Sequence, residues 1–120
     1  MTPEMKEKIL QAIQVKGLKL QNTAAEVGIN YSAFYRYFLG DGNSIRIYSF
    51  LDILDAVGLE LSINGKPIKS HQDLIDISKT KPLPRMYRDA KGYRFHKGGN
   101  VNTDTTYKIL VAQGLEPRII

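Results

Sequence analysis

Apolar residues recur at helical spacing through the first part of the chain and switch to a period of two near residue 59. Met5, Ile9, Ala12 and Ile13 fall at i, i+4, i+7 and i+8, which predicts a first helix with one buried stripe. Thr2, Pro3 and Glu4 start it with a capping side chain, a first-turn proline and an acid at the positive end of the dipole, and Gly17 stops it. A second helix is predicted from Leu20 to Val27, with Ala24 small enough for another helix to cross closely. Gly28 supplies the left-handed backbone of a sharp turn, Ile29 points inward and Asn30 caps a third helix, Tyr31 to Leu39. Phe34 and Tyr37 or Phe38 form its inner face, leaving Asn30, Tyr31, Ser32, Tyr35 and Arg36 outside.

The loop GDGNS follows, with Ser44 able to cap a helix in which Ile47, Phe50, Leu51, Leu54 and Val57 face one way and which Gly58 closes. Leu59, Leu61 and Ile63 then alternate with polar residues, as in a half-buried strand. Asn64-Gly65 is a hairpin signal, and Pro67 confines the return strand to an edge. Ser70 with Asp73 resembles a capping box before a short helix carrying Leu74, Ile75 and Ile77. Residues 81–84 break regular structure, and residues 85–97, RMYRDAKGYRFHK, suggest two extended runs about Asp89-Ala-Lys-Gly92, a second hairpin. Thr103 or Asp104 is expected to cap a last helix with Tyr107, Leu110 and Val111 on one face, stopped by Gly114. Residues 35–60 (YRYFLGDGN...DILDAVGLE) are echoed at 93–116 (YRFHKGGN...KILVAQGLE) with the spacing changed by two. Helix-glycine-strand exits are common, so the sequence alone favours coincidence over a degenerate repeat.

Charge divides unevenly. Residues 1–63 hold six Lys and Arg against seven Asp and Glu, a net of −1, whereas residues 64–120 hold eleven against five, a net of +6. Seven of the bases lie between Lys79 and Lys97, with Tyr87, Tyr93 and Phe95 among them. Such a basic ribbon suits phosphates, or is a solvated face whose aromatics pack inward. No catalytic site is visible: His71 and His96 have no neighbour at metal-ligand spacing, cysteine is absent and no serine stands in a nucleophile elbow. No cofactor, metal or membrane partner is therefore expected. The charged N-terminal stretch and the absence of a long apolar run point to a cytoplasmic protein.

The helix order with Ala24, Val27, Gly28, Ile29 and Phe34, the LGDGN loop and the IYSFLDILDAVGLEL exit resembles the lambda-repressor-like, Cro-type (XRE) helix-turn-helix family over about residues 5–62. Leu20 and Thr23 depart from it, standing where the family usually has a glutamine and an aliphatic residue. The resemblance implies a helix-turn-helix DNA-binding domain over residues 1–63, and with the basic hairpin and helix extension read from the residues over 64–120 the expected fold is mainly α with a small β part. It implies base contacts from Asn30, Tyr31, Ser32, Tyr35 and Arg36, and phosphate contacts from Gln21, Asn43, Ser44 and Arg46. The basic run adds Lys91, Arg94 and Lys97 toward phosphates. The expected function is a sequence-specific regulator of transcription, a repressor, on double-stranded DNA. Because one such helix with a single arginine reads few bases, a homodimer on a two-fold operator is expected, through the Asn64-Gly65 hairpin or the last helix. The alternatives are a protein-interaction module, an antitoxin or inhibitor on the same scaffold, or an RNA-binding protein using the basic aromatic second half.

Overall fold

A computed structural model describes residues 2–40 and 45–120. The expected loop residues Asn43 and Ser44 lie outside the described residues. The chain is mainly helical with one small antiparallel sheet: α1 (Pro3–Val15), α2 (Leu20–Glu26), α3 (Tyr31–Phe38), α4 (Ile47–Ala56), β1 (Leu61–Ile63), β2 (Lys66–Ile68), α5 (His71–Lys79), a 3₁₀ turn (Arg85–Tyr87), α6 (Ala90–His96), α7 (Thr103–Ala112) and β3 (Pro117–Ile119). Among the described residues no helix is long and apolar enough to cross a membrane.

The first helices form where their patterns place them. Met5, Ile9 and Ile13 are buried on α1, and the Thr2 hydroxyl accepts from the Met5 amide. On α4 the buried face is Ile47, Phe50, Ile53 and Leu54. Asn64 (φ 51°) and Gly65 (φ 82°) make the two-residue turn with positive φ at both positions that joins β1 to β2, and β2, with Pro67, is an edge of the sheet. The Ser70 hydroxyl accepts from the Asp73 amide while the Asp73 carboxylate accepts from the Lys69 amide, so α5 starts with reciprocal caps.

Two elements of the second half differ from expectation. Residues 85–97 are not a hairpin: the Asp89 carboxylate accepts from the Lys91 and Gly92 amides and so caps a helix, α6, whose buried residues Gly92 and Phe95 are three apart. The last helix begins one residue early, capped by Asn102 through the Asp104 amide rather than by Thr103 or Asp104.

The echo between residues 35–60 and 93–116 is structural repetition, not coincidence. Helices α4 and α7 superpose in number at a shift of 56 residues, Ile47 to Thr103 and Ala56 to Ala112. Each ends in a glycine of matching φ, 75° at Gly58 and 78° at Gly114, with matching backbone bonds from Leu59 to Leu54 and from Leu115 to Leu110. Strands β1 and β3 follow at the same shift and pair with each other, Ser62 opposite Arg118. Arg46 likewise forms a β-bridge with Asn102, its own counterpart, through bonds from Ile47 N to Val101 O (2.7 Å) and from Thr103 N to Ile45 O (2.8 Å). Residues that face their own counterparts in antiparallel pairs lie on a two-fold axis. The axis here relates the two halves of one chain. Ahead of it, Tyr35-Arg36-Tyr37 on α3 answers Tyr93-Arg94-Phe95 on α6, and the link to the bridge is two residues longer in the first half.

The first helix of each half packs within its own half and also touches the other. α1 packs on α3 and reaches across to β3, while α5 packs on α6 and stacks His71 on Tyr48 of α4 (centroids 3.6 Å apart, planes 8° apart). One continuous core results, with Ile9, Phe34 and Phe50 from the first half and Leu74, Phe95 and Ile109 from the second. The expected boundary at residues 63/64 falls inside the β1–β2 hairpin.

Candidate nucleic-acid interface

Helix α2 ends in a glycine turn that sets the direction of α3. The Ile29 amide reaches back to Ala24 O (2.9 Å) and Gly28 takes φ 72°, closing the helix in the left-handed manner. Nothing lies within 4 Å of where a Gly28 Cβ would stand, so the glycine serves the backbone angle and not a close approach. Thr23 and Ala24 are buried beneath the crossing, and the Thr23 hydroxyl donates to Lys19 O. A threonine thus substitutes for the aliphatic residue expected there by satisfying its own hydroxyl within the helix.

Helix α3 is sharply two-faced. Phe34, Tyr37 and Phe38 are buried and their rings pack edge or tilted on one another. Tyr37 ties the helix to the other half: its hydroxyl lies 3.4 Å from the Asp104 carboxylate on α7, and the Lys6 ammonium sits 4.3 Å above its ring. Burial first, then the Asp104 charge, pushes the Tyr37 hydroxyl far above its ordinary pKa, so it stays protonated. Asn30, Tyr31, Ser32, Tyr35 and Arg36 are together on the exposed side, with the Tyr31 and Tyr35 rings 6.1 Å apart. Asn30 is partly engaged, since its side-chain oxygen caps the Ser32 amide. Gln21 is exposed near the start of α2.

Arg46 occupies a different place from the rest. It lies at the pseudo-two-fold axis, exposed, and its guanidinium donates to Asn100 O at 2.8 Å. Asn100 returns the contact by accepting from the Tyr48 amide with its side chain, so the second half caps α4 of the first. The Tyr48 hydroxyl donates to Gly98 O nearby.

Lys91 and Arg94 on α6 and Lys97 at its C-cap are exposed and spaced three apart. A helix gathers that spacing on one side, whereas the extended runs first expected would have alternated them between two faces. Tyr93 is also half exposed at 49%, while Phe95 is buried and Tyr87 half-buried, so one of the three interleaved aromatics remains available to a partner. Where Phe34 fills the space on α3, its counterpart on α6 is Gly92, and the 3₁₀ turn lies directly against it.

No family model, no curated protein and no solved structure matches this chain. Its chemistry is therefore read from the side chains themselves. Among the described residues no three His, Asp or Glu groups converge to hold a metal ion. Ser78, His96 and Gln113 form a polar cluster that periodicity did not reveal, because its members come from α5, α6 and the end of α7. The Gln113 amide donates to Ser78 O, Lys81 O and Pro82 O, which leaves its oxygen to accept from the Ser78 hydroxyl and the Ser78 oxygen to accept from His96 Nε2–H. Desolvation, then the Lys79 charge, lowers the His96 pKa and favours the neutral ring. Ser78 is completely buried and its proton is committed to an amide, so the cluster ties down residues 78–82 and offers no nucleophile.

Proposed function

We propose that the chain is a sequence-specific double-stranded DNA-binding regulator of transcription, a repressor acting by occupancy, with α3 as the base-reading helix in a helix-turn-helix made by α2 and α3. The observation that carries this reading is the division of α3. Its inner face is locked into the core and its outer face gathers Tyr31, Ser32, Tyr35 and Arg36, hydrogen-bonding groups free to meet base edges. A helix of eight residues fits the major groove with its N-terminal part at the bases. Phosphate contacts come from Gln21 and, on α6, Lys91, Arg94 and Lys97. The RNA alternative loses support from the burial of Phe95 and the half-burial of Tyr87, which leave Tyr93 as the one exposed ring of the three that would stack on unpaired bases.

Selection of bound sequences from a random duplex pool tests the reading, and enrichment of a defined motif is the expected result. On that motif, Arg36→Ala is expected to weaken binding by about 1–3 kcal/mol and to relax the preference at one base pair, with the melting temperature unchanged. Wild-type affinity and preference in the variant would remove α3 from the reading role.

A further inference from the structure

The pseudo-two-fold axis changes what the unit of recognition is. A helix-turn-helix protein reading a two-fold site ordinarily brings two chains together, so that identical helices enter successive major grooves about 34 Å apart. In this chain the surface that a strand-paired dimer of the first half would use is already filled. β1 has β2 on one edge and β3 on the other, and Arg46 is bridged to Asn102, its counterpart in the second half. The exposed pair Tyr35-Arg36 on α3 corresponds in sequence to the exposed pair Tyr93-Arg94 on α6, each on the helix that precedes its half's contribution to the axis. The longest dimension, 41 Å, is greater than the roughly 34 Å between successive major grooves, so one molecule is large enough to span two half-sites.

The halves differ where it matters for sequence. The start of α3 offers an amide and two hydroxyls, Asn30, Tyr31 and Ser32. The start of α6 offers Ala90 and Lys91, with the Asp89 carboxylate engaged in capping. The first half is net −1 and the second net +6, so base-reading groups and phosphate-neutralising groups are concentrated in different halves.

We propose, resting on the DNA-binding reading above, that one chain recognises a full DNA site as a monomer: α3 reads one half-site and α6 grips the other, so that the site has no two-fold symmetry. The duplex partner is then an asymmetric one, with a sharply specified half and a loosely specified half read mainly through phosphates.

Three measurements on the full chain test this. Sedimentation of the free protein at micromolar concentration is expected to give a monomer, and a stable dimer would overturn the proposal. Native mass spectrometry of the complex with the selected duplex is expected to show one chain per duplex on a non-palindromic motif. Two chains on a palindrome would overturn the proposal while leaving DNA binding intact, whereas failure to enrich any motif would overturn the DNA-binding reading and this proposal with it. Finally, Arg36→Ala is expected to relax base preference at one end of the motif, whereas Arg94→Ala is expected to weaken binding by about tenfold without changing that preference and to remove protection of the DNA backbone from hydroxyl-radical cleavage at the other end. If Arg94→Ala removes protection at the end that Arg36→Ala affects, or at neither end, α6 does not occupy a half-site and the proposal fails.

Discussion

Two glycines separate what a residue does through its own backbone from what it does through its neighbours. Gly28 holds φ 72° with open space about its missing side chain, so Gly28→Ala costs the left-handed strain alone, about 1 kcal/mol. At Gly92 the backbone angle is ordinary for any residue, but an added Cβ would stand 1.8 Å from Tyr87 O. Backbone cannot retreat as a flexible side chain can, so Gly92→Ala is expected to destabilise by about 2 kcal/mol or more and to displace the 3₁₀ turn from α6. Urea denaturation of the two variants checks the order; a smaller loss at Gly92 would mean that the turn is not fixed against α6. The same contrast explains the sequence reading. Gly28 is legible in the sequence because its reason is local, whereas Gly92 reads as a turn glycine because a close tertiary approach leaves no mark in the neighbouring residues.

The helices that periodicity resolved are those with long apolar stripes and local caps, α1 with Thr2 and α5 with Ser70. Helix α4 has its stripe but not its cap, since the residue at its N-cap position, Arg46, makes no side-chain cap bond. The cap comes from Asn100, whose side-chain oxygen accepts from the Tyr48 amide at 3.0 Å across the pseudo-two-fold axis. Asn100→Ala is expected to lower stability by about 1 kcal/mol, the usual cost of a lost cap, although the residue lies more than fifty positions from the helix it serves. Asn100→Asp should keep most of that stability, because a carboxylate accepts the same amide and suits the positive helix end. Thermal unfolding of both variants decides, and no loss in the alanine variant would leave α4 capped by other means. Residues 85–97 resemble a hairpin in sequence for a related reason. Alternation of Tyr93 and Phe95 imitates a strand over a window too short to show the helical spacing of Gly92, Phe95 and His96, and only the Asp89 cap, seen in three dimensions, decides between them. The face of α3 needed no such help: five residues read as outward from spacing alone are all exposed, since an eight-residue helix with three buried aromatics leaves them nowhere else to go.

For the whole molecule the distribution of charge and the pseudo-symmetry make one joint claim. If the first half reads DNA, its net charge of −1 leaves it few cations with which to displace the counterions of a duplex, and the second half, net +6, places Lys91 and Arg94 on α6 and Lys97 at its C-cap. If the axis sets α6 against the same duplex as α3, those three side chains meet phosphates. Each phosphate neutralised contributes about −0.9 to the slope of log K against log salt, so replacing Lys91, Arg94 and Lys97 together by glutamine should flatten the slope by about two to three units per chain. Affinity should fall nearly alike on the selected motif and on random duplex, because most of what is removed positions the protein without reading sequence. All three positions are exposed and none forms part of the core, so the melting temperature should stay within about 3 °C, as expected of surface substitutions worth about 0.5 kcal/mol or less. Salt titrations of wild type and triple variant on both duplexes measure the slope directly. An unchanged slope would set α6 away from DNA, and the net positive charge of the second half would then have to answer to a different partner.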